Sequence, residues 1–229
     1  TEKSTKIVHI PKVLYSWRAL PSSTAENPDA KPYAQYAGLH AVQEHLNRVY
    51  GEGKAQAAET EHLFVYDAVY AMENDVKVSI IIPTRDHAED LKAAVDSIFE
   101  KSSYNNYEII IMNNNSDRKD TYEYFNEVQE AHKNVKVVDA FYEFNWSKLN
   151  NHGMREAAGD VYIFLNNDVC ILTSDWIERL ASKALRQDTG VVGPMLLYAD
   201  GTIQHAGVVV GLGGWADHVY KGVHPVHCG

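Results

Sequence analysis

The chain of 229 residues is 45% hydrophobic and 23% charged, enough apolar material for a buried core and too mixed a composition for disorder. Lys and Arg total 21 against 31 Asp and Glu, a formal net charge of −10, which excludes a general nucleic-acid binder but allows a small phosphorylated ligand met by local amides, a cation or a metal ion. Cys170 and Cys228 are too few for a disulfide framework or a zinc site and read as free thiols, no apolar run is long enough to span a membrane, and the N-terminus lacks the apolar stretch of a secretory signal.

Residues 1–75 read as a lead-in to a larger unit. An extended start, Ile7 to Trp17, runs into the loop-forming PSSTAENPDAKP. From Tyr33 to Tyr50 apolar residues recur at Tyr36, Leu39, Val42, Leu46 and Val49, a helical spacing that Gly51 and Gly53 stop. His62 to Tyr70, rich in β-branched and aromatic residues, reads as a strand.

Residues 76–229 alternate strands with helices. VKVSIII is a strand closed by Pro83, and its continuous apolar run suits a parallel strand covered on both faces. Asp86 and Glu89 form a capping-box signature ahead of a helix whose apolar face is Leu91, Ala94, Val95, Ile98 and Phe99. Tyr107–Met112 is a second strand, Tyr122 to His132 a helix, Val135–Phe141 a third strand, and Ser147 to Ala158 a helix ended by Gly159. Asp160–Leu165 is a fourth strand, followed by a helix from Asp175 to Gln187 with Asp175 and Glu178 as its capping pair. The order implies an α/β fold with a parallel sheet flanked by helices.

Ligands of an open parallel sheet bind outside the carboxyl ends of its strands. The residues there are Thr84-Arg85-Asp86, Asn113 through Asp117, Phe144-Asn145-Trp146, and Asn166-Asn167-Asp168. Asparagine recurs in three of these four clusters, and its amide offers both a donor and an acceptor to ribose hydroxyls and base edges. Asp168 ends a strand and can present a carboxylate to Mg²⁺ or Mn²⁺, bridged by a diphosphate because one carboxylate cannot hold such an ion tightly.

The segments VSIIIPTRD, EIIIMNNNSD, FNWSKLNNHG and AAGDVYIFLNND resemble, in order and spacing, the nucleotide-sugar half of family 2 glycosyltransferases. Asn166-Asn167-Asp168 stands where that family usually has DXD, a variant similar to those of bacterial O-antigen and polysaccharide transferases. Residues 1–75 and Gly201–Gly222 resemble segments of the same large glycan-assembly proteins. The resemblance implies a GT-A fold, a divalent cation (Mn²⁺ or Mg²⁺), a nucleotide-sugar donor linked to UDP or dTDP, a glycan or glycoprotein acceptor, and inversion at the anomeric carbon. It also implies a cytoplasmic location, peripheral to the inner face of the membrane. Thr84 and Arg85 are expected near the nucleotide, and Asn113 where the family reads the pyrimidine imide. Asn115, Asn145, Lys148 and Asn151 are expected to line the donor. Asn166 and Asn167 would meet ribose or sugar, and Asp168 the metal, with His205 or His218 as a further ligand among the histidines that include His224 and His227. The family's later acidic motif, which holds the general base, has no match before Gly229, so the sequence is expected to be part of a longer multi-module chain.

Two rival readings have specific content. Gly211 to Ala216 fits G-x-G-x-x-A, but the thirteen residues after Ala216 cannot complete a dinucleotide-binding unit. The alternative to catalysis is an assembly module derived from a transferase, against which the retained Asp168 argues and for which the unmatched later acidic motif argues.

Overall fold

The computed structural model describes residues 4–16, 32–72 and 75–225. They fall into two compact units, Thr1–Val69 and Tyr70–Gly229. Trp17, most of the proline-bearing loop after it, His227 and Cys228 lie outside the described residues.

In the first unit residues 4–16 form no regular element. Helix α1 (Pro32–Tyr50) packs on a two-stranded ribbon, β1 (Ala55–Glu59) and β2 (Tyr66–Tyr70). Gly51 stops the helix as expected, with φ of 96° and its N–H donating to the Asn47 carbonyl at 3.1 Å. The buried stripe differs from the expected one. Leu46 is buried as expected, but Tyr36 and Val49 are exposed and Gln35 is buried instead. The ribbon selects this face through polar contacts: the Tyr66 hydroxyl donates to the Gln35 carbonyl at 2.8 Å, and the Gln43 side chain accepts from the Ala57 N–H at 2.8 Å. Strand β1, an Ala/Gln/Glu segment, has no β-branched signal and escapes the sequence pattern. The strand expected from His62 begins only at Tyr66.

The second unit runs β3 (Val78–Thr84), α2 (Ala88–Lys101), β4 (Tyr107–Asn113), α3 (Lys119–Ala131), β5 (Val135–Asp139), α4 (Trp146–Glu156), β6 (Val161–Phe164) and α5 (Trp176–Ala184). The strands form one sheet in the order β5-β4-β3-β6, with every pairing parallel. Two short ribbons follow: β7 (Leu196–Leu197) with β8 (Ile203–His205), and β9 (Val208–Val210) with β10 (Ala216–His218). The α/β fold with helices flanking a parallel sheet is therefore as expected.

Strand periodicity divides the core. Ile80, Ile82, Ile109 and Ile111 face the cluster that includes Leu91, Phe125 and Trp176, while Ile81, Ile110 and Met112 face the cluster that includes Leu149 of α4. All seven sheet residues are at most 1% exposed, which is why the strands read as unbroken apolar runs.

Four local expectations need correction. Pro83 does not close β3, which continues to Thr84 in register with β4. The Ile81 carbonyl accepts from Leu165, so the proline two residues on lies on the same side, where β6 has already ended and no N–H is required. Asp86 and Glu89 form no capping box: His87 precedes α2 with φ of 54° and no side-chain cap. Asp175 likewise gives α5 no cap bond; its carboxylate pairs with Arg179, and Glu178 accepts from the Ser103 hydroxyl. Gly159 does not end α4, which stops at Glu156. Its role is close approach, since a Cβ there would lie 2.5 Å from Ser79 Oγ and 2.7 Å from Ser79 N.

Candidate functional site

Connections from β3 to β4 to β5 move one way across the sheet, and the return from β5 to β6 crosses to the other side of β3. The carboxyl ends of β3 and β6 therefore diverge at a topological switch point, where a parallel sheet opens a ligand crevice. One hydrogen bond spans it: Asn167 Nδ2 donates to Thr84 Oγ1 at 3.0 Å. Thr84 is buried and its hydroxyl donates to the Asp86 carbonyl at 3.1 Å. Arg85, Asn166 and Asp168 are exposed around this bond, and their side chains make no hydrogen bond or ion pair among the described residues. The structure thus brings Thr84, Arg85, Asn166, Asn167 and Asp168 to the crevice.

The asparagines after β4 behave differently. Asn113 is wholly buried; its amide donates to Asp139 Oδ1 at 2.8 Å and its carbonyl accepts from the Ser116 N–H at 3.1 Å. Asn114 donates to the carbonyls of Ala140 and Tyr142, both at 2.9 Å, and Asn115 donates to the Tyr142 carbonyl at 2.8 Å. These side chains hold the loop that follows β5. Asn115 does so from φ of 59°, a left-handed conformation that asparagine tolerates. Asp86 adds a second clamp, accepting from the N–H groups of Asp117 and Arg118 at 3.0 Å, with Asp86 itself at φ of 57°.

Asn145 caps α4 by accepting from the Lys148 N–H at 2.9 Å. Lys148 Nζ lies 4.1 Å from the centre of the Tyr142 ring, and the Tyr142 hydroxyl meets His152 Nδ1 at 3.2 Å. Asn151 is exposed on α4. Asn150, its buried neighbour, donates to the Trp146 carbonyl at 2.9 Å, and its side-chain carbonyl oxygen has no partner among the described residues.

His205 and His218 come together on β8 and β10, Nδ1 to Nδ1 at 2.8 Å, so one ring donates and the other accepts. They line an open cavity of about 450 Å³ with Tyr198, Gln204 and Lys221. Among the described residues no three histidine, cysteine or acidic groups converge on a common metal position, so this pair and Asp168 do not form one cluster.

A metal therefore has a restricted fit. The donors at the crevice are oxygens, the unpaired Asp168 carboxylate with the Asn166 and Asn167 amide carbonyls, which suits Mg²⁺ or Mn²⁺ shared with a ligand phosphate. Three residues that the sequence reading missed stand beside this edge: Asp139, Tyr142 and His152. The signal for the first was the strand register, which pairs Asn113 with Asp139.

Residues 79–207 match the profile of Glycosyl transferase family 2, more than half of the chain. The chain belongs to that family. Over 222 residues it is 43% identical to an uncharacterised protein of Sinorhizobium fredii, covering 96% of this chain and 24% of that protein. It is 33% identical over 222 residues to the O-antigen biosynthesis protein RfbC of Myxococcus xanthus, covering 96% of this chain and 17% of that protein. This family 2 chain thus spans less than a quarter of the length of these two curated relatives. A mannosyltransferase of Pyrobaculum calidifontis, solved with GDP-mannose and Mn²⁺, aligns at a TM-score of 0.45 and 15% identity, covering 69% of this chain and 43% of that one. No helix among the described residues is long and apolar enough to cross a membrane.

Proposed function

We propose that this domain transfers a sugar from a nucleoside-diphosphate donor, UDP- or dTDP-linked, to a hydroxyl of a glycan acceptor, with inversion at the anomeric carbon. The observation that carries the reading is the crevice between β3 and β6, where one bond joins Thr84 to Asn167 and leaves the Asp168 carboxylate exposed and unpaired. Arg85 supplies positive charge for the diphosphate, and the Asn166 and Asn167 carbonyls supply oxygen donors beside Asp168. A divalent cation held there would neutralise charge on the departing diphosphate. The bond from the anomeric carbon to the phosphate oxygen breaks as the bond to the acceptor oxygen forms, and the hydroxyl proton passes to a general base. None of the residues described above is assigned that last role. We place the enzyme in the cytoplasm and take residues 1–75 as a joining segment between modules.

The test is calorimetric titration of the chain with UDP and dTDP, with and without Mn²⁺. The reading requires metal-dependent nucleotide binding that Asp168→Ala removes. Absence of nucleotide binding under both conditions would leave an assembly module as the better account.

A further inference from the structure

We propose that the donor's base lodges at the end of β5, read by Asp139 and stacked on the aromatic loop 141–146, rather than being read by Asn113. The inference rests on the donor class proposed above. Asn113 cannot serve directly, because it is wholly buried and each end of its amide already has a partner inside the protein. Its amide instead fixes an exposed carboxylate: Asp139 accepts that bond with Oδ1, which leaves Oδ2 at the sheet edge. A carboxylate oxygen is an acceptor only, so its complement is an N–H such as the imide of a pyrimidine.

The loop after Asp139 displays Phe141 at 69%, Phe144 at 66% and Trp146 at 44% exposure. Large aromatics left in water on a fixed loop mark a binding surface rather than a packing remnant. This loop is fixed. Asn114 and Asn115 hold the Ala140 and Tyr142 carbonyls, and the Ala140 N–H donates to the Asn113 carbonyl at 2.8 Å. Tyr142 is tied to His152 and lies under Lys148, so a cation stands over the same loop. A flat, imide-bearing base uses all of this chemistry: faces to stack, an N–H for the carboxylate, and carbonyls and phosphates for the cation.

Distance favours the same occupant. From β3 to β5 is two strand spacings, about 10 Å, comparable to the reach from diphosphate to base in an extended nucleoside diphosphate. With the diphosphate at Thr84 and Asp168, the base falls at the β5 end.

The experiment titrates UDP, GDP and inorganic pyrophosphate with Mg²⁺ against the intact chain and against Phe144→Ala, Trp146→Ala and Asp139→Ala. The aromatic variants should raise the Kd for UDP by about 5- to 150-fold, the range for a lost base stack, and leave pyrophosphate unchanged. Asp139→Ala should likewise raise the Kd for UDP and leave pyrophosphate unchanged. UDP should quench fluorescence of the intact chain by a component absent in Trp146→Phe, a readout that does not depend on the alanine variants folding. Unchanged UDP affinity in the aromatic variants and in Asp139→Ala, with the intact chain binding UDP normally, overturns the subsite and leaves the transferase reading standing. Unchanged UDP affinity with a raised KM for acceptor would give the loop to the glycan and also overturns it. If the intact chain binds neither nucleotide, the transferase reading itself fails.

Discussion

The two halves of the sheet's carboxyl edge are built to different standards. After β4 and β5, asparagine side chains spend themselves on neighbouring backbone and on the Asp139 carboxylate, and Asn113, Asn114 and Ser116 are buried. After β3 and β6, a single side-chain bond joins the loops, and Asn166 and Asp168 stand exposed and unpaired among the described residues. In one half the asparagines are a frame that holds Asp139 and the exposed aromatics of loop 141–146, whereas in the other the polar side chains themselves are left open. The same residue type serves both, because an amide buried against carbonyls is a brace, whereas one left in water is a hand.

The sharpest way to break this contrast is Asp168→Ala. It should abolish metal-dependent UDP affinity while the unfolding midpoint stays within error, because the carboxylate braces nothing. A substantial loss of stability by urea titration would show that the open half is structural after all. Asn114→Ala is the mirror experiment. It removes two buried hydrogen bonds, although the Ala140 carbonyl keeps the Tyr142 N–H and the Tyr142 carbonyl keeps the Asn115 amide, and should cost about 1–3 kcal/mol of unfolding free energy, with nucleotide affinity falling only as the loop loosens. Gly159→Ala tests the base of the sheet, far from either half. Its Cβ would press on Ser79, so overpacking should cost about 1–3 kcal/mol with no change in ligand affinity.

A smaller effect belongs to Glu108, also at the lower end of the sheet. Burial works to raise its pKa, but the Ser79 hydroxyl, the Ala158 N–H and Lys77 outweigh that and hold the carboxyl below its ordinary value of 4.5. A depressed carboxylate contributes stability above its unfolded pKa and loses it as pH falls through the folded value. Glu108→Gln should therefore lower stability at neutral pH and make the decline below about pH 4.5 shallower, read from Tm against pH. Smallest is Asn167→Ala, which removes one exposed-edge hydrogen bond, about 0.5–1.5 kcal/mol, and should loosen the crevice without unfolding it.

The sheet was legible in the sequence because its residues obey one rule over long runs. VSIIIP and EIIIM are buried on both faces, and no other environment asks for such continuous apolar strands. Helix caps were not legible. Asp86 and Asp175 have the composition of N-caps, yet each carboxylate is claimed by a partner beyond its own first turn or by a salt bridge. Gly159 looked like a helix stop because glycine is common there, and nothing local reveals that Ser79, eighty residues away, occupies the space its side chain would need.

By itself the sequence determined the parallel α/β order and the strand-end clusters, which follow from local composition and spacing, and the family, which follows from the resemblance of its four motifs. Only the tertiary structure decided which asparagines are buried as braces and which stay exposed at the strand ends. Strand order sets Thr84 beside Asn167, and register sets Asn113 beside Asp139. Those pairings are 83 and 26 residues apart along the chain, and a polar side chain's role is fixed by whichever partner folding brings within hydrogen-bond reach.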